Sequence, residues 1–252
     1  MRSHIERAVN KTLREPRFEI VFASLFGSFR RGDYDGFSDI DIFIVHEDED
    51  ERSNVSRRLK SLEGIFNRKI HVNLFSLEEF ENRLRFHDYL TTSILEDSSF
   101  ILGRRDLFTE AKRRFLEEHP SEESIRFNRE MGFKTLRHLC FRLDDLDLSR
   151  PRNVWDLHSG MVKNLNDYRL ALGYLYASRC MEEFGRCVSS KSLAETSIGL
   201  KLKTLADFEK TLKRRSKIDY TVLHKLAEDI KAESSRILSL RWDIKSDRMS
   251  PY

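Results

Sequence analysis

Cysteine is scarce: Cys140, Cys180 and Cys187 are odd in number and none is spaced as C-x-x-C. That excludes a disulfide framework or a zinc knuckle and fits a reducing cytosol. Only 4 prolines and 10 glycines interrupt 252 residues, which leaves little room for long flexible linkers. The opening Met1-Arg2-Ser3-His4-Ile5-Glu6-Arg7 lacks an apolar signal core, and no run approaches membrane-spanning length, so a cytoplasmic protein with no membrane partner is expected. A strong excess of one charge is missing too. The 45 basic residues nearly balance 42 acidic ones, for a net charge of +3, which argues against a dedicated nucleic-acid coat while leaving a local basic groove open. No internal repeat or low-complexity tract is evident. What remains, 39% hydrophobic and 35% charged residues, describes a globular chain of one or two domains that needs no staples.

Against this background one segment stands out. Phe18-Glu19-Ile20-Val21-Phe22-Ala23-Ser24-Leu25-Phe26 reads as a strand and breaks at Gly27-Ser28; ten residues later comes Asp39-Ile40-Asp41 at the head of a second apolar run, Ile42-Phe43-Ile44-Val45. In a strand, residues i and i+2 point to one face, so Asp39 and Asp41 project together. Carboxylates in a buried strand are costly unless neutralised, and a hard divalent cation with oxygen ligands would neutralise them. Gly27 lets the backbone approach a phosphate closely, and Ser28 offers a hydroxyl and an N–H. An Asp-x-Asp alone often caps or flanks a strand. Combined with Gly-Ser at this spacing, the pattern arises by chance in on the order of one chain in a hundred or fewer.

At these residues the chain resembles the nucleotidyltransferases of the DNA polymerase β superfamily, especially the minimal nucleotidyltransferases. Arg31-Gly32 and Ser38 in the intervening loop match that family's basic loop. The stretch His71-Val72-Asn73-Leu74-Phe75-Ser76 looks like its third strand, and residues 93–104 like its closing helix and short strand. The resemblance implies Mg²⁺ in a two-metal site, with Mn²⁺ as the alternative, held by Asp39 and Asp41. Gly27, Ser28 and Arg31 would position an NTP, ATP before the others. It also exposes a departure: the family's third strand carries a third carboxylate where this chain has Asn73. Strand parity places His71, Asn73 and Phe75 on one face. Asn73 can offer a carbonyl oxygen but cannot act as a base. His71 can, since imidazole titrates near operating pH, although packing beneath the site is an equal reading of it.

Around this core, Ile5, Ala8, Val9 and Leu13 recur at helical spacing up to Pro16. An acidic turn follows at 47–51, then a helix over 52–66 with Val55, Leu59, Leu62 and Phe66 inward. From Asp106 onward strand signals vanish, and Pro120-Ser121 marks a break and an N-cap. Long helices are predicted over 154–184, 193–213 and 220–242, the last capped by Asp219, with the basic run 210–217 complementing a helix C-terminus. The expected fold class is α+β: a nucleotidyltransferase domain with a mixed sheet over residues 1–108, and a helical bundle over 109–252. Such bundles in related proteins bind acceptors or are of the HEPN kind, whose ribonuclease members use an Arg and a His a few residues apart. Arg152 with His158, or Arg113 or Arg114 with His119, fits that gap. Three functions follow from the resemblance. The leading one is an enzyme moving a nucleoside monophosphate from an NTP to a hydroxyl acceptor. A weakly catalytic, antitoxin-like or nucleotide-sensing module comes second, and a HEPN-like ribonuclease third. A homodimer is compatible with each.

Overall fold

Four strands, β1 (Ile20–Phe26), β2 (Ile40–His46), β3 (Ile70–Ser76) and β4 (Ser99–Gly103), form one mixed sheet in the order β3-β2-β1-β4. β1 runs antiparallel to both β2 and β4, whereas β2 and β3 are parallel. This computed structural model describes residues 1–14, 18–36, 38–47, 52–145, 154–187, 204–205 and 220–247. Outside them lie Pro16, 48–51, Arg152, Asp219, the basic run 210–217 and all of the predicted 193–213 helix but 204–205.

The strands are apolar at almost every position because helices cover both faces of the sheet. On one face Ala23, Leu25, Ile40, Ile42, Ile44, Ile70 and Leu74 pack with Ile5, Val9 and Leu13 of α1 (Arg2–Leu13) and with Val55 and Leu59 of α3 (Arg52–Lys60). On the other, Phe22, Phe43, Val45 and Phe75 pack with Phe80 and Leu84 of α5 (Leu77–Arg85). Ile94 and Leu95 of α6 (Tyr89–Glu96) and Phe108, Ala111 and Phe115 of α7 (Arg105–Glu117) complete that cluster. Edge-to-face contacts between Phe22 and Phe43, Phe80 and Phe108, with centroids 5.2–5.8 Å apart, organise this second layer.

The predicted 52–66 helix is two pieces. α3 stops at Lys60, and α4 (Glu63–Phe66) begins after a tight turn in which Ser61 Oγ donates to the Arg58 carbonyl and Leu62 N–H to the Leu59 carbonyl. The apolar stripe survives the break, since Leu62 is buried beside Val55 and Leu59. Ser76 caps α5 by accepting from Glu79 N–H, and Asp88 caps α6 by accepting from Thr91 N–H. The Asp88 carboxylate is fully buried, and Arg83 stands 3.3 Å from it, which supplies the countercharge that burial requires.

The chain divides into two compact units, Met1–Ile125 with Cys180–Ser192 and Arg126–Arg179 with Leu193–Tyr252. The second is helical: Leu136, Leu139 and Leu143 of α8 (Glu122–Asp145) pack with Met161, Leu165 and Tyr168 of α9 (Val154–Phe184). Leu223, Ala227 and Ile230 of α10 (Tyr220–Asp247) close its core. Ser121 caps α8 by accepting from Ser124 N–H. Among the described residues no helix is long and apolar enough to cross a membrane. Burial pushes the Cys187 thiol up to about 12, with Glu118 adding to the shift, so the protonated form is favoured at neutral pH.

His87, in the turn between α5 and α6, adopts φ 47 and is 5% exposed, with Nδ1 3.2 Å from Ser124 Oγ. Burial holds its pKa below the ordinary histidine value; Glu118 opposes that shift and Arg114 adds to it. A depressed value means the folded chain prefers the neutral ring. The stability it contributes is present in full above the unfolded value of about 6.5 and is lost as the pH falls toward and through the folded value. Urea unfolding of the α/β unit should therefore show a midpoint that declines between about pH 7 and pH 5, and His87→Gln should flatten that slope.

Candidate functional site

β1 runs into α2 (Gly27–Arg31) with no intervening loop: Phe26 is extended at φ −135, and Gly27 turns the chain at φ +73. Because Phe26 pairs with Asp41 across the β1–β2 ladder, Gly27 lies against the Asp41 carboxylate. A Cβ on Gly27 would stand 2.3 Å from Asp41 Oδ2. Backbone conformation and lack of space both demand glycine here. Asp41 sits where the helical cover ends, its side chain 24% exposed.

On the other flank, β3 sets His71 directly opposite Asp41, and Nδ1 of His71 lies 3.4 Å from Asp41 Oδ1. His71 is 65% exposed, so its ring reaches out beside the carboxylate. Asn73 is the register partner of Phe43, two residues deeper on the same face, and is half-buried. Asp39 stands just before β2 at the same parity as Asp41, also half-buried. Ile40 N–H bonds the Lys69 carbonyl at 2.9 Å and pins this end of β2 to β3.

The loop between α2 and β2 is anchored along its length. Tyr34 stacks on Phe29 with centroids 4.4 Å apart and planes 6° from parallel. Ser38 Oγ accepts from Asp35 N–H at 2.9 Å and donates to the Asp35 carboxylate at 3.1 Å. Arg68, from the turn before β3, donates to the Gly36 carbonyl. Arg31, the basic residue singled out in the loop, bonds Asp97 after α6 and lies 3.3 Å from Asp33. Burial weakens its charge, but Asp97 and Asp33 outweigh burial and hold its pKa above the ordinary arginine value. Arg30 reaches the same Asp97 at 3.4 Å.

Beside His71 a cavity of about 380 Å³ opens, lined by Asp39, Ser56, Lys60, Glu63, Lys69 and His71 with Ile70 and Val72. Among the described residues no group of three or more His, Cys, Asp and Glu side chains is disposed to hold a metal by itself. Asp39, Asp41 and Asn73 share one strand parity at this end of β2 and β3, and Ser28 follows the turn at Gly27. That donor set suits a hard cation that takes one or two protein carboxylates and fills its shell with water and substrate phosphate oxygens.

The fold thus brings Gly27, Asp41 and His71 into contact, with Ser28, Asp39 and Asn73 in the surrounding positions, while Arg31 is directed to Asp97. Sequence reasoning missed Asp97, which lies 66 positions from Arg31 and carries no local signal. It also missed Lys60 and Lys69, whose one trace was the basic character of the segment. In the second constellation, Arg113 pairs with Glu110 and Glu117, Arg114 pairs with Glu118, and His119 Nδ1 meets the Gly185 carbonyl at 2.7 Å. Arg152 and the side chain of His158 lie outside the described residues.

Residues 6–101 match the family model for the nucleotidyltransferase domain. Three solved structures are similar to parts or most of the chain. Spectinomycin adenyltransferase AAD(9) from Enterococcus faecialis, with ATP and spectinomycin, is 12% identical over 92% of this chain and 99% of that one, with a TM-score of 0.49. A nucleotidyltransferase-like protein from Exiguobacterium sibiricum 255-15 is 14% identical over 98% and 82%, at 0.36. A toxin-antitoxin with AMP-PNP is 20% identical over 42% and 80%, at 0.31. No curated protein matches the sequence.

The contact between Gly27 and Asp41 is testable by itself. Gly27→Ala should cost the α/β unit about 1–3 kcal/mol in urea unfolding. Adding Asp41→Ala, which removes the carboxylate from the path of the new methyl, should recover part of that loss as a non-additive term.

Proposed function

Because residues 6–101 form a nucleotidyltransferase domain of the polymerase β superfamily, we propose that the chain transfers a nucleoside monophosphate from an NTP, ATP before the others, to a hydroxyl acceptor. The observation that supports it most is the Asp41 carboxylate packed against the bare Cα of Gly27, with His71 on its other side. Each sits at the second position of its strand and keeps access to solvent, Asp41 24% and His71 65% exposed.

In this reading Gly27 and the Ser28 hydroxyl seat the triphosphate. Asp39 and Asp41 would hold Mg²⁺, or Mn²⁺ in its place, and Asn73, at the same strand parity, could add a carbonyl oxygen. The metal, when bound, offsets phosphate charge and stabilises the entering and leaving oxygens. His71 takes the proton of the acceptor hydroxyl. Nδ1 lies 3.4 Å from Asp41 Oδ1, and a tautomer that donates from Nδ1 to that carboxylate would make Nε2 the base. The acceptor oxygen bonds the α-phosphorus, the bond from that phosphorus to the β-bridging oxygen breaks, and pyrophosphate departs. Arg31 contributes to triphosphate binding by exchanging Asp97 for phosphate oxygens. The helical unit serves as the acceptor-side or partner-binding domain, and the site of action is the cytoplasm.

Asn73 supports a second reading, an antitoxin-like or nucleotide-sensing module, because a missing charge weakens a metal site. The two separate cleanly: calorimetry that finds ATP bound, with no pyrophosphate formed over any acceptor, favours the sensor.

Incubation with labelled ATP, Mg²⁺ and a panel of hydroxyl compounds should release pyrophosphate, and Asp39→Ala with Asp41→Ala should cut that release by at least about a hundredfold. Unchanged release in the double variant would sink the proposal. Asn73→Asp adds a third carboxylate to the Asp41 face. It should shift the Mg²⁺ dependence of turnover to lower concentration, since ligand charge governs affinity for a hard cation.

A further inference from the structure

The cavity beside His71 carries a charge pattern that metal and triphosphate do not require. We propose that it is the acceptor pocket and that it takes a hydroxyl compound bearing phosphate, held by Lys60 and Lys69; this rests on the nucleotidyl-transfer reading above.

Position is the first support. The order β3-β2-β1 sets Gly27 on one side of Asp41 and His71 on the other. A triphosphate seated against Gly27 presents its α-phosphorus to Asp41, and in-line displacement brings the attacking hydroxyl from the opposite side. The cavity opens there, with Asp39 and His71 in its wall, and its volume of about 380 Å³ accommodates a sugar phosphate or one terminal nucleotide.

Charge is the second. Four charged residues other than His71 line the cavity. Asp39 is assigned to the metal, and Glu63 keeps its charge but is turned to the strand, its Oε1 accepting from Ile70 N–H at 2.9 Å. Lys60 and Lys69 remain, both exposed, and neither amine is paired with a carboxylate among the described residues. Two ammonium groups without a carboxylate partner beside a site of hydroxyl attack favour a phosphate on the acceptor.

The third support is the surrounding segment. Residues 52–69 hold six basic residues (Arg52, Arg57, Arg58, Lys60, Arg68 and Lys69) against Glu63 alone, a local net of +5 in a chain whose total is +3. The acidic run 47–51 just before it sums to −5, so the excess positive charge is confined to the stretch from Arg52 to Lys69.

The phosphate can belong to a free sugar phosphate or to the last phosphodiester before the 3′ hydroxyl of an RNA, and binding assays on the full chain separate them. The probes are a short 5′-fluorescein-labelled oligoadenylate with a free 3′ hydroxyl, read by anisotropy, and ribose 5-phosphate, read by calorimetry and as competitor. In Lys60→Gln/Lys69→Gln the Kd of whichever probe binds should rise by about tenfold or more, whereas Lys60→Arg/Lys69→Arg should hold it within about threefold. The Kd for ATP should stay within about twofold in both variants. Tight ribose 5-phosphate binding assigns a small acceptor, and oligoadenylate binding that ribose 5-phosphate does not displace assigns an RNA end. The inference is overturned if neither probe binds the wild type, if both bind the Gln variant as tightly, or if a cationic aminocyclitol accepts AMP with a KM indifferent to the two lysines. Failure of the parent reading looks different: pyrophosphate release indifferent to Asp39 and Asp41, with the lysine-dependent binding intact.

Discussion

A carboxylate and a bare backbone carbon share one small space at the end of β1, and the rest of the site is arranged around that sharing. Asp41 can lie flat against the chain turn because Gly27 has no Cβ to meet it. The approach exists only in one strand register, with Phe26 opposite Asp41. A slip of one residue would turn Asp41 into the layer occupied by Ile40, Ile42 and Ile44 and bring those isoleucines to the surface. The apolar faces of β2 are therefore what keep the acid in place. The two hydrophobic layers position the chemistry as directly as any residue that touches it.

The flanks of that contact differ in how their charges are satisfied. On the β1 side, Arg30 and Arg31 of α2 both turn to Asp97, whose carboxylate is only 15% exposed. The short helix that follows Gly27 is thereby tied to the end of α6, 66 positions on. On the β3 side the opposite holds: Lys60 and Lys69 face open space around the cavity. One flank is neutralised within the chain and the other presents its charge outward. An anion entering from the first side must displace a carboxylate, and one entering from the second meets cations directly.

Much of this was legible from residue order alone. The Gly27-Ser28 and Asp39-x-Asp41 pairs fell at strand ends because a continuous apolar run leaves few other places for a turn and two same-face acids. The bounds of α9, Val154–Phe184, followed from unbroken helical character between turn signals. The break between α3 and α4 did not show, because Val55, Leu59, Leu62 and Phe66 hold one stripe straight through it, and a hydroxyl at Ser61 is a weak mark of a turn. The register of His71 against Asp41, with Asn73 one step further in, was hidden for another reason: parity tells which face a residue takes but not its level. The Arg31–Asp97 pair needed β4 to be placed next to β1, and nothing near either residue in sequence says so.

The central place of β1 also sets an order of events. Its two edges are completed by β2, about twenty residues on, and by β4, whose Phe100 pairs with Ser24. During synthesis the turn at Gly27 and both aspartates emerge early, but β1 keeps one open edge until residues 99–103 arrive. Asp97, the anchor of α2, arrives in the same interval. A nascent chain that already carries every proposed metal ligand thus still lacks both the strand that closes its sheet and the carboxylate that orients its arginines. The segment that holds the motif is set in its final surroundings only when the last strand joins.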